Sequence, residues 1–237
     1  MLLGARQFFE RRGATAKAPT ARDYVQNGLI AMWDGIENAG WGTHDLSATT
    51  WKDLIGSADA SLQSSGSWGD CSLLCAGGTL AAKDGSPIDT FRSMEICLKR
   101  TGTATAFVAV VSSGNGNGVL VVKDNLSFGF GYYSNTRYYP PTNEISSGAT
   151  ISGVWDNNPA SSADVAAYVN GASVARSATE SNPGFGSGGT VAFGARQDGA
   201  RPFTGEIYCV RLYNRALTAA EIAANYAVDA QRFNLSS

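Results

Sequence analysis

The sequence predicts an all-β fold: a two-sheet antiparallel sandwich closed by a short C-terminal helix and preceded by an N-terminal arm. Three observations predict it. Gly is abundant, 28 of 237 residues, and Gly-, Ser-, Thr- and Asn-rich segments separate short apolar runs, as expected of many strands joined by turns. Charged residues are sparse at 16% against a usual ~25%, while hydrophobic residues at 43% supply a sizeable core. The stretch from Pro202 to Tyr226 alternates with a period of two and then runs into a capped helix. The length suits one large sandwich.

Residues 1–22 differ from the rest. Arg6, Arg11, Arg12, Lys17 and Arg22 oppose only Glu10, and Leu2, Leu3, Phe8 and Phe9 are too few for a core of their own. Three readings stand: a solvated tail, a targeting segment and an arm that docks on a partner. Paired Phe residues suit a solvated tail poorly, so the arm is preferred, with Phe8, Phe9, Arg11 and Arg12 as its docking residues. The domain then occupies 23–237. Met-Leu-Leu is followed at once by Gly4 and Arg6, which leaves no secretory hydrophobic region, and no run reaches the ~20 apolar residues of a membrane span.

The strands follow in order. Gly28–Asp34 is an apolar strand, followed by a polar loop and the turn Trp51-Lys-Asp-Leu54. Ser93–Lys99 and Ala104–Val111 read as adjacent strands, and Gly118–Lys123 and Leu126–Tyr133 as a hairpin around Asp124-Asn125. Thr150–Trp155 is a further strand. Val165–Asn170 and Ala172–Ala175 flank Asn170-Gly171, a strong two-residue hairpin signal. Thr190–Ala195 precedes the closing strand. In that strand Glu206, Tyr208, Val210 and Leu212 are expected on one face, with Ile207, Cys209, Arg211 and Tyr213 on the other. Thr218 and Glu221 form a capping box, and Leu217 and Ile222 occupy the staple positions.

The pattern Gly205…Val210-Arg-Leu-Tyr-Asn-Arg-Ala-Leu-Thr…Glu221-Ile resembles the closing strand and helix of laminin-G-like jelly rolls in the concanavalin A-like lectin/glucanase superfamily. The Trp33-Asp34 strand end, the Trp51-Lys-Asp-Leu54 turn and the Tyr168-Val-Asn-Gly171 hairpin are similar to parts of the same family. The resemblance implies a jelly roll and brackets residues 27–233.

Several chemistries lack residues to carry them. A net charge of −2 argues against nucleic-acid binding, which needs a basic face. Enzymes of the resembled superfamily that act on glucans carry a Glu-x-Asp-x-x-Glu strand. The nearest run here, Glu95 to Arg100, offers one carboxylate followed by two cations, so no enzymatic activity is expected. Cys71, Cys75, Cys97 and Cys209 are expected as free thiols, with Cys71 and Cys75 the pair best spaced for a bridge.

Two clusters carry binding chemistry. Asp34, Asn38 and Asp45 are oxygen donors in a Gly-rich loop, which suits either Ca²⁺ or the capping of loop amides, the commoner role of Asx side chains; the resemblance adds weight to Ca²⁺, since many lectin-like jelly rolls bind it. Trp41 and Trp68 lie in Gly-flanked polar surroundings and suit either glycan stacking or buried packing, while Tyr132 and Tyr133 lead a second aromatic concentration that suits either a glycan-binding surface or a protein–protein contact. The leading expectation is a non-enzymatic structural or adhesive module. Its opening Met-Leu-Leu-Gly-Ala-Arg resembles jelly-roll proteins of phages and prophages, which implies a virion protein that docks on virion partners or on copies of itself. The alternative is a lectin domain for surface glycans.

Overall fold

In a computed structural model of the chain, the described residues are 17–63, 66–77, 81–83, 91–102, 108–113, 117–123, 125–132, 135–155, 165–176, 191–196 and 198–235. A single 3₁₀ turn, Ala21–Asp23, opens them. It is followed by β1 (Leu29–Asp34), β2 (Thr50–Trp51), β3 (Ala60–Leu62), β4 (Ser67–Trp68), β5 (Leu73–Ala76), β6 (Ala81–Lys83), β7 (Ser93–Arg100) and β8 (Val108–Ser113). Next come β9 (Asn117–Val122), β10 (Phe128–Tyr132), β11 (Asn135–Tyr139), α1 (Glu144–Ser147), β12 (Ala149–Trp155), β13 (Val165–Val169) and β14 (Ala172–Val174). β15 (Val191–Phe193), β16 (Thr204–Tyr213) and α2 (Ala219–Arg232) close the chain.

Two antiparallel sheets form the sandwich that the sequence predicts. One runs β14-β13-β12-β7-β16-β5-β4, with β1 also paired to β16; the other runs β11-β10-β9-β8-β15-β6-β3-β2. Between them lies an apolar core that includes Trp33, Trp51, Phe128, Phe130, Trp155, Phe193, Phe203 and Val210. The outer face of the first sheet is covered by α2 and by residues 21–25, where Met32, Tyr208, Tyr213, Ile222 and Phe233 form a second cluster.

The two strands expected to be neighbours, β7 and β8, are in different sheets. β7 is flanked on both edges, by β12 and β16, so no edge remains for β8, which pairs with β9 and β15. The expected alternation of β16 also fails at one point. Its register with β7 slips between Ile207 and Cys209, a β-bulge that adds a residue and inverts the parity. Ile207 therefore joins Val210 and Leu212 in the core between the sheets, while Tyr208, Cys209, Arg211 and Tyr213 all face α2. The Tyr208 carbonyl freed at this bulge accepts the Gly35 amide at 2.7 Å and so fixes the start of the loop after β1.

The local signals at the C-terminus are realised. Asn170 and Gly171 take positive φ, 49° and 79°, as a tight hairpin turn demands. Thr218 Oγ1 accepts the Glu221 amide at 3.3 Å, and the Glu221 carboxylate accepts the Thr218 amide at 2.9 Å. Arg215 adds two bonds to that carboxylate, at 3.0 and 2.5 Å. The four cysteines are free, and burial pushes Cys75 up to about 12.

The Arg215 guanidinium and then the Thr218 amide hold the Glu221 carboxyl down at about 2, below its ordinary 4.5. A lowered carboxylate stabilises the fold above its unfolded value, and that stabilisation is lost as pH falls from about 4.5 toward 2. Glu221→Gln is expected to lower the thermal midpoint at neutral pH and to flatten its acid slope across this window. Parallel slopes for variant and wild type in a pH series of melts would contradict the assignment.

Candidate functional site

The outer face of the first sheet carries charge where apolar residues would be the default. Arg211 on β16, Glu95 on β7 and Asp229 on α2 are each 0% exposed. Arg211 Nε donates to Glu95 Oε2 at 3.0 Å, and its two terminal nitrogens donate to the two Asp229 oxygens, both at 2.7 Å. The remaining valences are filled. Asp229 also accepts the Tyr24 hydroxyl and the Thr150 hydroxyl, each at 2.7 Å. Glu95 also accepts Asn225 Nδ2 at 2.6 Å and the Ser152 hydroxyl at 3.2 Å. Burial pushes the Glu95 carboxyl up, against the pull of Arg211. Burial alone would lower Arg211, but Asp229 and Glu95 outweigh it and hold the guanidinium firmly charged.

One turn later on the helix, Arg232 repeats the arrangement toward β1. It bonds both oxygens of Asp34, which is itself fully buried, and reaches Glu37 Oε1 at 3.4 Å and the Tyr24 hydroxyl at 3.0 Å. Burial, ahead of the Arg232 pairing, leaves Asp34 raised. Arg232 thus ties together the end of β1, the loop that follows it and the segment just after the 3₁₀ turn.

That loop, residues 35–47, is braced throughout. Asp34 Oδ1 accepts the Ile36 and Glu37 amides at 2.9 and 3.1 Å. Glu37 Oε2 accepts the Gly42 amide at 2.8 Å, at a residue whose φ of +68° favours glycine. The Asn38 amide side chain makes a paired contact with the Asp45 backbone, both bonds 2.8 Å. Asp45 Oδ1 accepts the Ser47 amide at 2.8 Å and its hydroxyl at 2.6 Å, and His44 Nδ1 lies 3.0 Å from the Gly35 carbonyl. The loop presents Trp41 half-buried and Gly42 to Ser47 exposed, with Leu46 at 61%. The exposed Arg22 places its guanidinium carbon 4.0 Å from the Trp41 ring centre.

The residues singled out from sequence separate on this geometry. Asp34 ends β1, and Asn38 and Asp45 lie in the loop that follows; their side chains bond backbone amides and carbonyls or pair with Arg232, the capping alternative weighed against a Ca²⁺ set. Among the described residues no three His, Cys, Asp or Glu side chains converge as a metal site. Trp68, offered as a surface indole, is core: it packs edge-on against Trp51 at 5.5 Å and donates its N–H to the Ala48 carbonyl at 2.8 Å. Trp33 and Trp51 are anchored in the same way, by the Ala58 and Asp34 carbonyls. Trp41 differs, since its indole N–H bonds no described residue. Phe8, Phe9, Arg11, Arg12, Tyr133 and the Tyr132 side chain lie outside the described residues. Of the expected arm, 17–22 are described: Ala21 is fully buried, and Thr20 caps the turn that follows it.

Sequence reasoning missed Arg211, Asn225, Asp229 and Arg232. Arg211 and Glu95 did leave a signal, opposite charges each in the middle of an apolar strand.

A family model described as the concanavalin A-like lectin/glucanases superfamily, of laminin-G type, matches residues 91–223, more than half of the chain. The chain belongs to the concanavalin A-like lectin/glucanases superfamily. The superfamily match contains Glu95 and Arg211; Arg22 and the 35–47 loop lie before it. Among solved structures, a Trypanosoma rangeli sialidase in complex with sialic acid superposes with a TM-score of 0.61 at 16% identity, over 88% of this chain and 33% of that one. This chain thus spans about a third of the sialidase's length. A Ruminococcus gnavus IT-sialidase CBM40 bound to α2,3-sialyllactose aligns over 65% of this chain and 95% of that one, at 20% identity and a TM-score of 0.49. No curated protein matches the sequence. Among the described residues no helix is long and apolar enough to cross a membrane.

Two outcomes follow from the buried charges. Arg211→Met strands two buried carboxylates, so chemical denaturation is expected to show a loss of about 3–5 kcal/mol. Arg232→Met removes the brace at the loop base, and amide exchange at Gly42 and Asp45 is expected to quicken more than exchange in β7. Equal quickening at both places would mean that Arg232 supports the whole fold and not the loop in particular.

Proposed function

We propose that this protein is a non-enzymatic carbohydrate-binding module that presents Trp41 from the braced 35–47 loop to the face of a sugar. The observation that carries this reading is the condition of that indole. It is half-buried, its N–H is unused by the described residues, and the backbone beneath it is fixed by side-chain hydrogen bonds on both strands of the loop. A rigid aromatic with two torsions to lose is an inexpensive stacking platform. Exposed Thr43 and His44 stand beside it as hydrogen-bonding groups. Membership of a superfamily of lectins and glucanases agrees with a saccharide ligand.

The non-enzymatic part of the proposal has its own support. Glu95, Asp229, Asp34 and Glu37 are engaged by guanidinium groups beneath the helix, which is no place for the paired acid and base of glycoside hydrolysis. The binding is proposed to be independent of Ca²⁺. An ion at Asp34, Asn38 and Asp45 would first have to displace Arg232, the Asp45 backbone and Ser47. The structural reading, a virion component docking through Phe8, Phe9, Arg11 and Arg12, rests on residues outside those described and is separable by experiment.

Tryptophan fluorescence titration across a panel of neutral and acidic oligosaccharides is expected to give a saturable response. Trp41→Ala is expected to weaken binding roughly tenfold, the worth of about 1.4 kcal/mol of aromatic contact, in a variant shown by its melt to remain folded. A panel without response, or a Trp41→Ala variant of undiminished affinity, defeats the proposal. If the full chain in addition proves oligomeric by light scattering, the structural reading takes its place.

A further inference from the structure

Trp41 has a cation over it, and among the described residues that cation meets no acid. Arg22 makes no ion pair with any described residue, and apart from its stacking on Trp41 its guanidinium bonds none of them. The described acids of the 3₁₀ turn, the end of β1 and the 35–47 loop are engaged elsewhere. Asp23 accepts the Thr20 amide and hydroxyl, at 2.7 and 2.9 Å. Asp45 holds Ser47; Glu37 holds Gly42 and meets Arg232; Asp34 is locked to Arg232. These acids are thus bonded internally, while two donors, the Arg22 guanidinium and the Trp41 indole N–H, meet no acceptor among the described residues.

Arg22 is also held in place from both sides along the chain. The 3₁₀ turn that carries it is closed by a reciprocal Thr20–Asp23 box, and Ala21 before it is fully buried. Tyr24 after it is pinned by Asp229 and Arg232. A guanidinium stacked on an aromatic ring keeps its edge N–H groups free for a planar oxyanion, which it meets with two parallel hydrogen bonds.

We infer that Arg22 and Trp41 together form a subsite for a carboxylate-bearing sugar, Arg22 taking the carboxylate and the Trp41 indole N–H a neighbouring oxygen of the same sugar. This rests on the carbohydrate-binding reading and adds a ligand class to it. Two kinds of saccharide carry the required group, sialylated and uronic acid-containing, and the chemistry at Arg22 is common to both.

The test is isothermal titration of the full chain with 3′-sialyllactose, with lactose and with a galacturonic acid oligosaccharide, repeated for Arg22→Gln, Arg22→Lys and Trp41→Ala. At least one acidic ligand is expected to bind ~10-fold or more tightly than lactose, and added salt to narrow the gap. Arg22→Gln is expected to abolish that preference with the melting temperature unchanged, while Arg22→Lys restores part of it. Whichever acidic ligand shows the preference identifies the source of the carboxylate. Two results overturn the inference: lactose binding as tightly as both acidic ligands, or an undiminished preference in Arg22→Gln. If lactose binds without acidic preference and Trp41→Ala abolishes it, the carbohydrate-binding reading survives and the carboxylate subsite fails. If none of the three ligands binds, both fail.

Discussion

The structure depends on one buried cation. Arg211 sits fully enclosed between Glu95 on a neighbouring strand and Asp229 on the closing helix, and neither acid could be so enclosed without it. Desolvating an unpaired carboxylate costs several kcal/mol, more than most single contacts return. The helix therefore has one seat on the sheet. A slip along its axis would leave Asp229 and Arg211 facing apolar neighbours, and a rotation would strand Asn225 as well. An apolar helix face would bury as much surface but tolerate more than one register. Specificity of docking is what this arrangement adds.

The same helix carries the constraint outward. Arg232 lies one turn beyond Asp229 and clamps Asp34, Glu37 and the Tyr24 hydroxyl. Two guanidinium groups thus face four carboxylates, an excess of negative charge. The raised Glu95 and Asp34 carboxyls are shifted in the direction that relieves it, since a retained proton cancels a charge. Arg232 is also where scaffold becomes surface. Beyond it on one side is the 35–47 loop with Trp41, and on the other is the turn that bears Arg22. The two halves of the proposed subsite, Arg22 and Trp41, come from residues nineteen positions apart in sequence, and they share one anchor.

What could be read from the sequence divides by range. The capping box of Thr218 and Glu221, the Asn170-Gly171 hairpin and the strand texture were legible because each is fixed by residues within a few positions of one another. The parity of β16 was not, because a bulge at Tyr208 is decided by pairing with β7 and by the Gly35 amide, both distant in sequence. The partnership of β7 and β8 failed for a similar reason: a strand has two edges, and β12 and β16 had claimed both of β7's. Trp68 shows the limit of flanking composition. Its Gly neighbours suggested exposure, but the space beside Trp51 and the Ala48 carbonyl buries it. The buried charges were the hardest to place. Arg211 announces only that something must neutralise it, and its partners come from another strand and from a helix whose inward residues, Asn225 and Asp229, look like solvent-facing ones in sequence.

The candidate site was half legible for the same physical reason. A loop rich in Asp, Asn and Gly signals oxygen donors, and nothing local distinguishes donors that hold an ion from donors that hold the loop. The difference is made by Arg232, nearly two hundred residues later, which takes Asp34 and thereby commits the loop's acids to structure. Once those acids are engaged, the chemistry left on the surface is the reverse of what the composition suggests. The region is acidic in sequence, yet among the described residues a guanidinium and an indole N–H, both donors, are left without an acceptor. Recognition depends on groups that remain unsatisfied after folding, and here folding satisfies the anions first.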